Sequence, residues 1–332
     1  MKKTTAIFIA AILSVTMLFG CGTKEDNAVE SSTSNSETEE SKDGADNTEE
    51  GVVFGITYWI ESDFFKTIAD SITEQAEKDG NKTVVVDAAQ DSTKQIQIIE
   101  DFIAQGVSAV FLNPVDKDAI APALQKLEEA DIPVINFDSA VGNFDLVDAF
   151  VATDNVLAGQ LCGEAMVKAF PDGGKIAVLN YPANSACVDR EQGFLEAIEG
   201  KGFEVAATFD AEGTVEKGQT IMSDILQAHP DLDAVFGIND QCGMGAYAAI
   251  TTNGAEVNIY GVDGNPEAKS VIAKDGVYKM TAAQSPIKMG QVSYETAKTI
   301  LNGEEPEEFQ INVPAFTIDI TNIEDYLEQD WQ

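Results

Sequence analysis

Asparagine and aspartate follow consecutive apolar runs in both halves of the chain. In the first half, Asn113 ends one run and Asp138 ends the next, 25 residues later. In the second half, Asn239 and Asp263 repeat this arrangement with a spacing of 24 residues. Each residue alone could simply cap a helix or begin a turn. Carboxylates accept hydrogen bonds, and amides both donate and accept them. The matched pairs therefore favour one shared site for a ligand rich in hydroxyl groups.

Four further side chains could complete such a site. Arg190 is the only arginine in the chain, and its rigid fan of donors suits adjacent hydroxyls or a carboxylate. An ordinary surface ion pair would also explain this arginine. Gln284 can both donate and accept hydrogen bonds. Phe64 and Phe65 could stack on the apolar face of a sugar ring, although at least one of them could instead pack in the core.

Catalytic and metal-binding patterns are weak. Residues 243–248 match a loose dinucleotide fingerprint but fall at a predicted helix start, and residues 173–175 lack the full spacing and the hydroxyl residue of a P-loop. The single histidine, His229, precedes Pro230 and is expected at a helix end. No nucleophile and base are arranged as a triad, and no His or Cys cluster has metal spacing. We therefore expect no catalytic residue, no metal and no cofactor.

Short β-branched runs alternate with amphipathic stretches from residue 51 onward, a pattern typical of a parallel sheet covered by helices. Phe64, Ile68, Ile72 and Ala76 lie four residues apart and predict a helix over 64–78. The predicted strands are 52–57, 83–87, 108–112, 133–137, 174–179, 203–209, 233–238, 257–262 and 279–283. Open α/β sheets bind ligands at the carboxyl ends of their strands. The repeat therefore predicts two similar doubly wound lobes that face one cleft.

Net charge narrows the choice of partner. Acidic residues outnumber basic ones 57 to 20, which gives a formal charge of −37. A surface this negative repels phosphate backbones, so nucleic acid is excluded as a partner class. An anionic ligand is disfavoured as well, because the lysines are scattered and only one arginine is present.

The beginning of the sequence has the layout of an export signal. Two lysines precede an apolar run over 6–19, and Gly20 and Cys21 follow it. The run is shorter than the roughly 20 apolar residues that a membrane-spanning helix needs. This layout resembles the bacterial lipoprotein signal and predicts a signal peptide over 1–20 with lipid attachment at Cys21. Residues 21–50 are expected to form a disordered acidic tether, because they cannot bury enough apolar surface to offset the entropy of ordering.

Three cysteines remain once Cys21 is assigned to lipid, and an odd number cannot all pair within the chain. Cys162 lies in an apolar helical pattern and is expected to be a small core residue. A bridge between Cys187 and Cys242 remains open as an alternative to two free thiols.

From about residue 52 to about 318, the chain resembles the ribose-binding protein group of bacterial solute-binding proteins, which has the type I periplasmic-binding fold. The matching residues are Asp63, Phe64, Phe65, 113–116, 132–135, Asp138, Asp154, Asn155, Arg190, Gly193, Phe194, Asn239, Asp240, 261–264, Ala283 and Gln284. Each of these is unspecific by itself, and their combination carries the resemblance.

The resemblance implies two lobes, joined by three crossover strands, that close by a hinge motion. The implied lobes are 51–152 plus 285–311 and 153–284 plus 312–332, with crossovers near 152–154, 283–285 and 311–315. The implied ligand contacts are Phe64, Phe65, Asn113, Asp138, Arg190, Asn239, Asp263 and Gln284. The implied partner of the closed form is a membrane permease with its ATPase.

Two departures from the group's pattern leave the ligand open. Ser139 stands where the ribose binders have an arginine, and Gly213 stands where they have a second stacking phenylalanine. Trp59, Tyr181 and Phe209 are candidates to compensate for the missing ring. A different pentose, a hexose or a polyol such as inositol is compatible with these changes.

The sequence thus predicts a monomeric, lipid-anchored receptor on the extracytoplasmic face of the cell membrane, which binds a neutral sugar or polyol and delivers it to an ABC permease. A ligand-sensing subunit of a membrane signalling protein and a nucleoside-binding lipoprotein are the main alternatives. A sugar-modifying enzyme is a third. A sugar-responsive transcription regulator is disfavoured by the export signal.

Overall fold

The computed structural model describes residues 51–332. The predicted signal peptide over 1–20, the predicted tether over 21–50 and Cys21 lie outside the described residues. Within the described range, the chain forms two α/β lobes, each built on one six-stranded sheet. This is the fold class that the sequence predicts.

All nine predicted strands are present, with ends that differ from the prediction by at most one residue. The strands are β1 (Val53–Tyr58), β2 (Lys82–Asp87), β3 (Ala109–Leu112), β4 (Val134–Phe137), β5 (Ala149–Thr153), β6 (Gly174–Asn180), β7 (Phe203–Asp210), β8 (Ala234–Gly237), β9 (Asn258–Asp263), β10 (Tyr278–Ala283), β11 (Gln310–Val313) and β12 (Phe316–Asp319). The helices are α1 (Asp63–Lys78), α2 (Ser92–Gln105), α3 (Ala121–Glu129), α4 (Asn155–Ala169), α5 (Ser185–Ile198), α6 (Val215–Ala228), α7 (Asp240–Asn253), α8 (Pro266–Ile272) and α9 (Pro286–Leu301).

The two sheets share one strand order. The first runs β11-β5-β4-β3-β1-β2 and the second runs β12-β10-β9-β8-β6-β7. All neighbours in the first sheet are parallel, whereas in the second sheet β12 runs antiparallel to β10. In this correspondence β3 matches β8 and β4 matches β9. The Asn and Asp that recur in the sequence therefore follow equivalent strands of the two lobes.

The sequence of helix α1 explains where this helix begins and which of its faces is buried. Ser62 caps the helix, its Oγ accepting the Phe65 amide hydrogen at 3.4 Å. Ile68, Ile72 and Ala76 are buried, as the four-residue spacing predicts. Phe65 replaces Phe64 at the amino-terminal end of this buried face, which leaves Phe64 half-buried near the helix start.

Three strand-to-element connections pass from one lobe to the other. They lead from β5 to α4, from β10 to α9, and from β11 to β12 through Pro314 and Ala315. Two of the implied lobe boundaries fall inside strands of the first sheet. The boundary between 152 and 153 divides β5, and the one between 311 and 312 divides β11.

Helices α4 and α5 of the second lobe pack unusually closely. A Cβ at Gly159 would lie 1.9 Å from the carbonyl oxygen of Arg190, and one at Gly193 would lie 2.0 Å from that of Val156. Only residues without a side chain permit this approach. It fixes the position of the helix that carries Arg190.

Cys162, Cys187 and Cys242 are all buried and unbridged in the described chain. Cys162 belongs to the core of the second lobe, as its apolar surroundings in the sequence predict. The alternative of a bridge between Cys187 and Cys242 does not form in this structure. None of the helices between residues 51 and 332 is both long enough and apolar enough to span a bilayer.

Candidate functional site

A cavity of about 1060 Å³ lies between the two lobes, at the carboxyl ends of both sheets. Its volume lies slightly above the usual range for small-molecule sites, which is about 300 to 1,000 Å³. Of the eight residues that the sequence nominates, seven line it: Phe64, Phe65, Asp138, Arg190, Asn239, Asp263 and Gln284. The eighth, Asn113, is fully buried and is not part of the wall.

The polar side chains that line the cavity are called here the polar floor: Asp138, Arg190, Asn239, Asp263 and Gln284. Asp138 forms the part that belongs to the first lobe. It follows β4 with φ at +61°, a left-handed conformation that turns the backbone sharply at the strand end. Its Oδ2 accepts hydrogen bonds from Ser139 Oγ at 2.8 Å and from Asn113 Nδ2 at 3.2 Å. These contacts hold one carboxylate oxygen and leave the other without a described protein partner.

Asn113 supports the site from behind Asp138. Its Nδ2 also donates to the carbonyl of Phe137 at 3.2 Å, and its Oδ1 accepts the Trp59 amide hydrogen at 3.3 Å. The side chain therefore ties together the ends of β1, β3 and β4. In this structure Asn113 positions the aspartate.

Arg190 is the centre of the second-lobe side, and its side chain is only 6% exposed. Its Nε donates to Asn155 Oδ1 at 2.9 Å, while one Nη donates to the Ile238 carbonyl at 3.2 Å and to Asp263 Oδ1 at 3.1 Å. Helix α4, strand β8 and strand β9 thus all hold one guanidinium. The surface ion pair considered from the sequence is not what this arginine forms.

Gln284 connects this cluster to the crossovers. Its Nε2 donates to Asp263 Oδ1 at 2.8 Å, and its Oε1 accepts from Thr153 Oγ1 at 2.7 Å. Thr153 ends the last strand before the first crossover, and Gln284 lies in the second. A ligand contact at Gln284 would therefore act directly on the joint between the lobes.

Asn239 is both a helix cap and part of the cavity wall. It caps α7 by accepting the Cys242 amide hydrogen at 2.9 Å, and its Nδ2 donates to the Gly213 carbonyl at 3.1 Å. It also lines the cavity. Gly213 has φ at +67°, and a Cβ there would lie 3.2 Å from the Tyr181 ring. The turn and the neighbouring ring both favour glycine at 213.

The two phenylalanines at the start of α1 are buried to different degrees in the cavity wall. Phe65 is buried and stacks on Tyr58, with ring centroids 6.1 Å apart, while Phe64 remains half-buried beside it. Of the candidates to replace the missing ring, Trp59 and Tyr181 line the cavity. Phe209 does not, because its side chain points into solvent and is 53% exposed.

Sequence reasoning missed Trp331, which lines the same cavity. Its ring lies edge to face with Phe64, with centroids 5.3 Å apart and planes at 69°. No short-range pattern indicates this contact, because it depends on the segment after β12 returning to the cleft. The one available signal was a tryptophan in an otherwise acidic stretch.

Burial sets the protonation of the polar floor. It raises the pKa of Asp138 to about 6, against the lowering effects of Ser139 and Arg190. Burial also raises the pKa of Asp263, opposed by Arg190 and Gln284. For Arg190 burial acts to lower the pKa, but the Asp263 and Asp138 carboxylates outweigh it and the guanidinium stays charged. The site therefore offers a paired cation and one carboxylate that titrates near pH 6.

Asp240 is a second residue whose role the sequence did not reveal. It is fully buried, and its Oδ2 accepts the amide hydrogens of Gly264 and Asn265 at 2.8 and 2.9 Å. Its Oδ1 accepts from Tyr278 Oη at 2.7 Å. Burial and the nearby Asp263 raise its pKa to about 7. This carboxyl fixes the turn that follows Asp263.

Cys187 lines the cavity, but burial raises its thiol pKa to about 11, so it is not a thiolate at neutral pH. No cluster of acidic, His or Cys side chains in residues 51–332 is arranged to hold a metal ion. His229 ends α6, where the sequence predicts it. A Cβ at Gly243 would lie 2.3 Å from the Tyr278 hydroxyl oxygen, so close packing favours glycine at this position.

Comparison with protein families assigns this architecture. Residues 54–305 match the family described as the periplasmic binding protein domain. The ribose import binding protein of Bacillus subtilis (strain 168) is 36% identical over 245 residues, covering 74% of this chain and 79% of the relative. The chain belongs to the periplasmic binding protein family.

Solved structures agree with this assignment. An ABC transporter solute binding protein from Mycobacterium smegmatis with bound glycerol matches with a TM-score of 0.76 and 30% identity, covering 84% of this chain and 98% of that one. One from Bacillus halodurans C-125 with bound myo-inositol matches with a TM-score of 0.75 and 27% identity, covering 85% and 99%.

Proposed function

We propose that this periplasmic binding protein captures one neutral monosaccharide or polyol between its lobes and delivers it to an ABC permease. The observation that carries the proposal is the convergence of polar groups from both lobes on one cavity. Asp138 faces it from the first lobe, and Asp263, Arg190 and Asn239 face it from the second. A ligand that bridges these groups would favour the closed arrangement of the lobes.

The balance of donors and acceptors supports a hydroxyl-rich ligand. Asp138 and Asp263 accept, Arg190 donates, and Asn239 and Gln284 do both. A hydroxyl can serve either kind of partner. Micromolar affinity requires about 8 kcal/mol, and hydrogen bonds to charged groups contribute roughly 1.5 to 3 kcal/mol each. Three or four such bonds together with an aromatic contact are of the required size.

The charge of the site supports a neutral ligand. Arg190 is already paired with Asp263 at 3.1 Å, so it has no unpaired charge to offer an anion. Asp138 adds a negative charge at neutral pH, because its pKa lies near 6. A carboxylate or phosphate on the ligand would be repelled.

The residue beside Asp138 leaves several sugars compatible with the site. Ser139 uses its hydroxyl on Asp138, where the ribose binders place an arginine, so one pair of charged donors is missing. Relatives of this chain are named for ribose, allose and apiose. We propose a pentose, a hexose or a polyol, and no catalytic step.

We also propose that the receptor is monomeric and is held on the extracytoplasmic face of the membrane by lipid on Cys21, with 21–50 as its tether. The Gly20-Cys21 step after the apolar run supports this attachment. Replacing Cys21 with Ser should move the protein from the membrane fraction to the soluble fraction of an expressing bacterium. Retention of the Cys21→Ser protein in the membrane fraction would argue against the lipid anchor.

A thermal-shift screen of residues 51–332 tests the function. The panel comprises aldoses, ketoses, polyols and purine nucleosides. A ligand present at a hundredfold over its dissociation constant should add about 2.7 kcal/mol of stability. That corresponds to a rise of several degrees in melting temperature for a domain of this size. No shift with any sugar or polyol would defeat the proposal, and a shift with nucleosides alone would support the nucleoside alternative.

Arg190→Ala supplies the matching variant. Removal of the guanidinium leaves the buried Asp263 unpaired, so the ligand-free melting temperature should fall. The informative quantity is the ligand-induced shift, which should vanish. Lys217→Ala is the control, since it removes an exposed ion pair with Glu212 in the same lobe and should keep the full shift.

A further inference from the structure

The segment 327–332, called here the tail, lies against the second lobe and reaches the cleft. Lys269 of α8 holds the tail in place. This lysine is almost completely buried, with 1% of its surface exposed. Its Nζ donates to the carbonyls of Gln329 and Asp330 at 2.6 and 3.1 Å. Gln332 Nε2 donates to the carbonyl of Gln284 at 2.8 Å, so the tail is also bonded to a crossover.

These anchors place Trp331 in the cavity wall. Its neighbours on the tail are held by the second lobe, whereas its ring contacts Phe64 of the first lobe. Trp331 therefore spans the opening of the cleft. Gly213, which also lines the cavity, has no side chain to contribute.

The indole N–H of Trp331 is a buried hydrogen-bond donor that has no acceptor among the described residues. Buried donors are normally paired, because leaving one unpaired is unfavourable. The nitrogen is closed off from the cavity in this arrangement, so an acceptor on a ligand would pair with it once the wall adjusts on binding.

We propose that Trp331 is a ligand-contacting residue that sets the preference of the site. Its ring stacks on the apolar C–H face of the bound sugar, and its N–H donates to a sugar hydroxyl. Phe64 supports the ring from the first lobe. The assignment rests on the function proposed above and extends it by naming a residue outside the eight nominated ones.

Simple packing of the tail is the competing explanation. Packing accounts for the contact with Phe64 but not for a buried donor without an acceptor, nor for the position of the ring on the cavity. Packing and ligand contact predict different responses to sugar, and both can be measured.

The first test is the affinity of Trp331→Ala and Trp331→Phe for D-ribose, D-allose and myo-inositol, by titration calorimetry. We expect Trp331→Ala to weaken the best of these ligands at least tenfold. Trp331→Phe should recover part of the loss, since it keeps the ring and lacks the N–H. Leu327→Ala, an exposed change on the same tail, is the control and should bind as the unaltered protein does.

Tryptophan fluorescence provides a second readout that does not depend on removing Trp331. The chain has two tryptophans, so Trp59→Phe leaves Trp331 as the sole emitter. Saturating sugar should shift or quench its emission. Unchanged emission at saturation, or binding by Trp331→Ala within twofold of the unaltered protein, would overturn the assignment while leaving the receptor function intact. If none of the three compounds nor the wider panel binds the unaltered protein, the proposed function fails, and this assignment fails with it.

Discussion

Asp138 is the residue whose charge should govern the pH dependence of binding. Burial raises its pKa to about 6, and Ser139, Arg190, Asp263 and Asn113 are the groups that act on it. If sugar hydroxyls donate to its carboxylate, binding requires the ionised form. Affinity should then fall about tenfold for each pH unit below 6, because a proton must leave before the sugar binds.

Asp138→Asn should flatten this dependence and weaken binding at pH 7.5. The stability of the ligand-free protein responds in the opposite sense. The folded-state pKa lies above the ordinary value of 3.8, so ionising Asp138 is unfavourable and its contribution to stability is lost as pH rises from about 4 to 6. Titration calorimetry at pH 5 to 7.5 measures the sugar affinity, and thermal melts over the same range measure the stability of the ligand-free protein. An unaltered pH slope in the Asn variant would show that another group controls binding.

Residue types and spacing were sufficient to find most of the polar floor. The repeated Asn and Asp and Gln284 come from strand ends, and Arg190 comes from the second turn of α5; the topology brings these segments to one sheet edge. Sequence could not reveal that Asn113 turns inward to hold Asp138, because strand-end residues can point either way. Trp331 was missed because its position depends on long-range anchoring by Lys269.

At the scale of elements, the alternation of apolar runs and helical stretches predicted nine strands closely. The resemblance implied crossover strands near 152–154 and 311–315, but the alternation itself did not predict β5, β11 and β12. They are four or five residues long and lie at the crossovers, where no following helix of the same lobe completes the βαβ pattern. Sequence patterns of period two are short in such segments and carry little information.

The close contact of α4 and α5 yields a prediction at this scale. Gly193→Ala would place a Cβ against the Val156 carbonyl and force the helices apart. We expect a loss of about 1 to 3 kcal/mol in unfolding free energy, as for other overpacked interiors. Sugar affinity should fall too, because Arg190 lies on the displaced helix. Urea unfolding and calorimetry provide the measurements.

Gly276→Ala is the matched control, since open space surrounds a Cβ at that position. Its stability and affinity should stay close to those of the unaltered protein. Equal behaviour of the two variants would mean that the helix contact does not position Arg190.

At the scale of the molecule, the internal repeat predicted the architecture. Two lobes of identical strand order meet at their carboxyl edges, so Asp138 of the first lobe faces Asn239 and Asp263 of the second across one cavity. Sequence did not predict the width of the cleft. That width depends on three short crossovers and on a few hydrogen bonds such as Thr153 to Gln284, which no local pattern encodes.

Small-angle X-ray scattering of residues 51–332, with and without the best sugar from the thermal screen, tests most directly whether the lobes close around a solute. The account predicts a smaller radius of gyration at saturating sugar, and no change in Arg190→Ala at the same concentration. An unchanged radius of gyration in the unaltered protein at saturating sugar would contradict it.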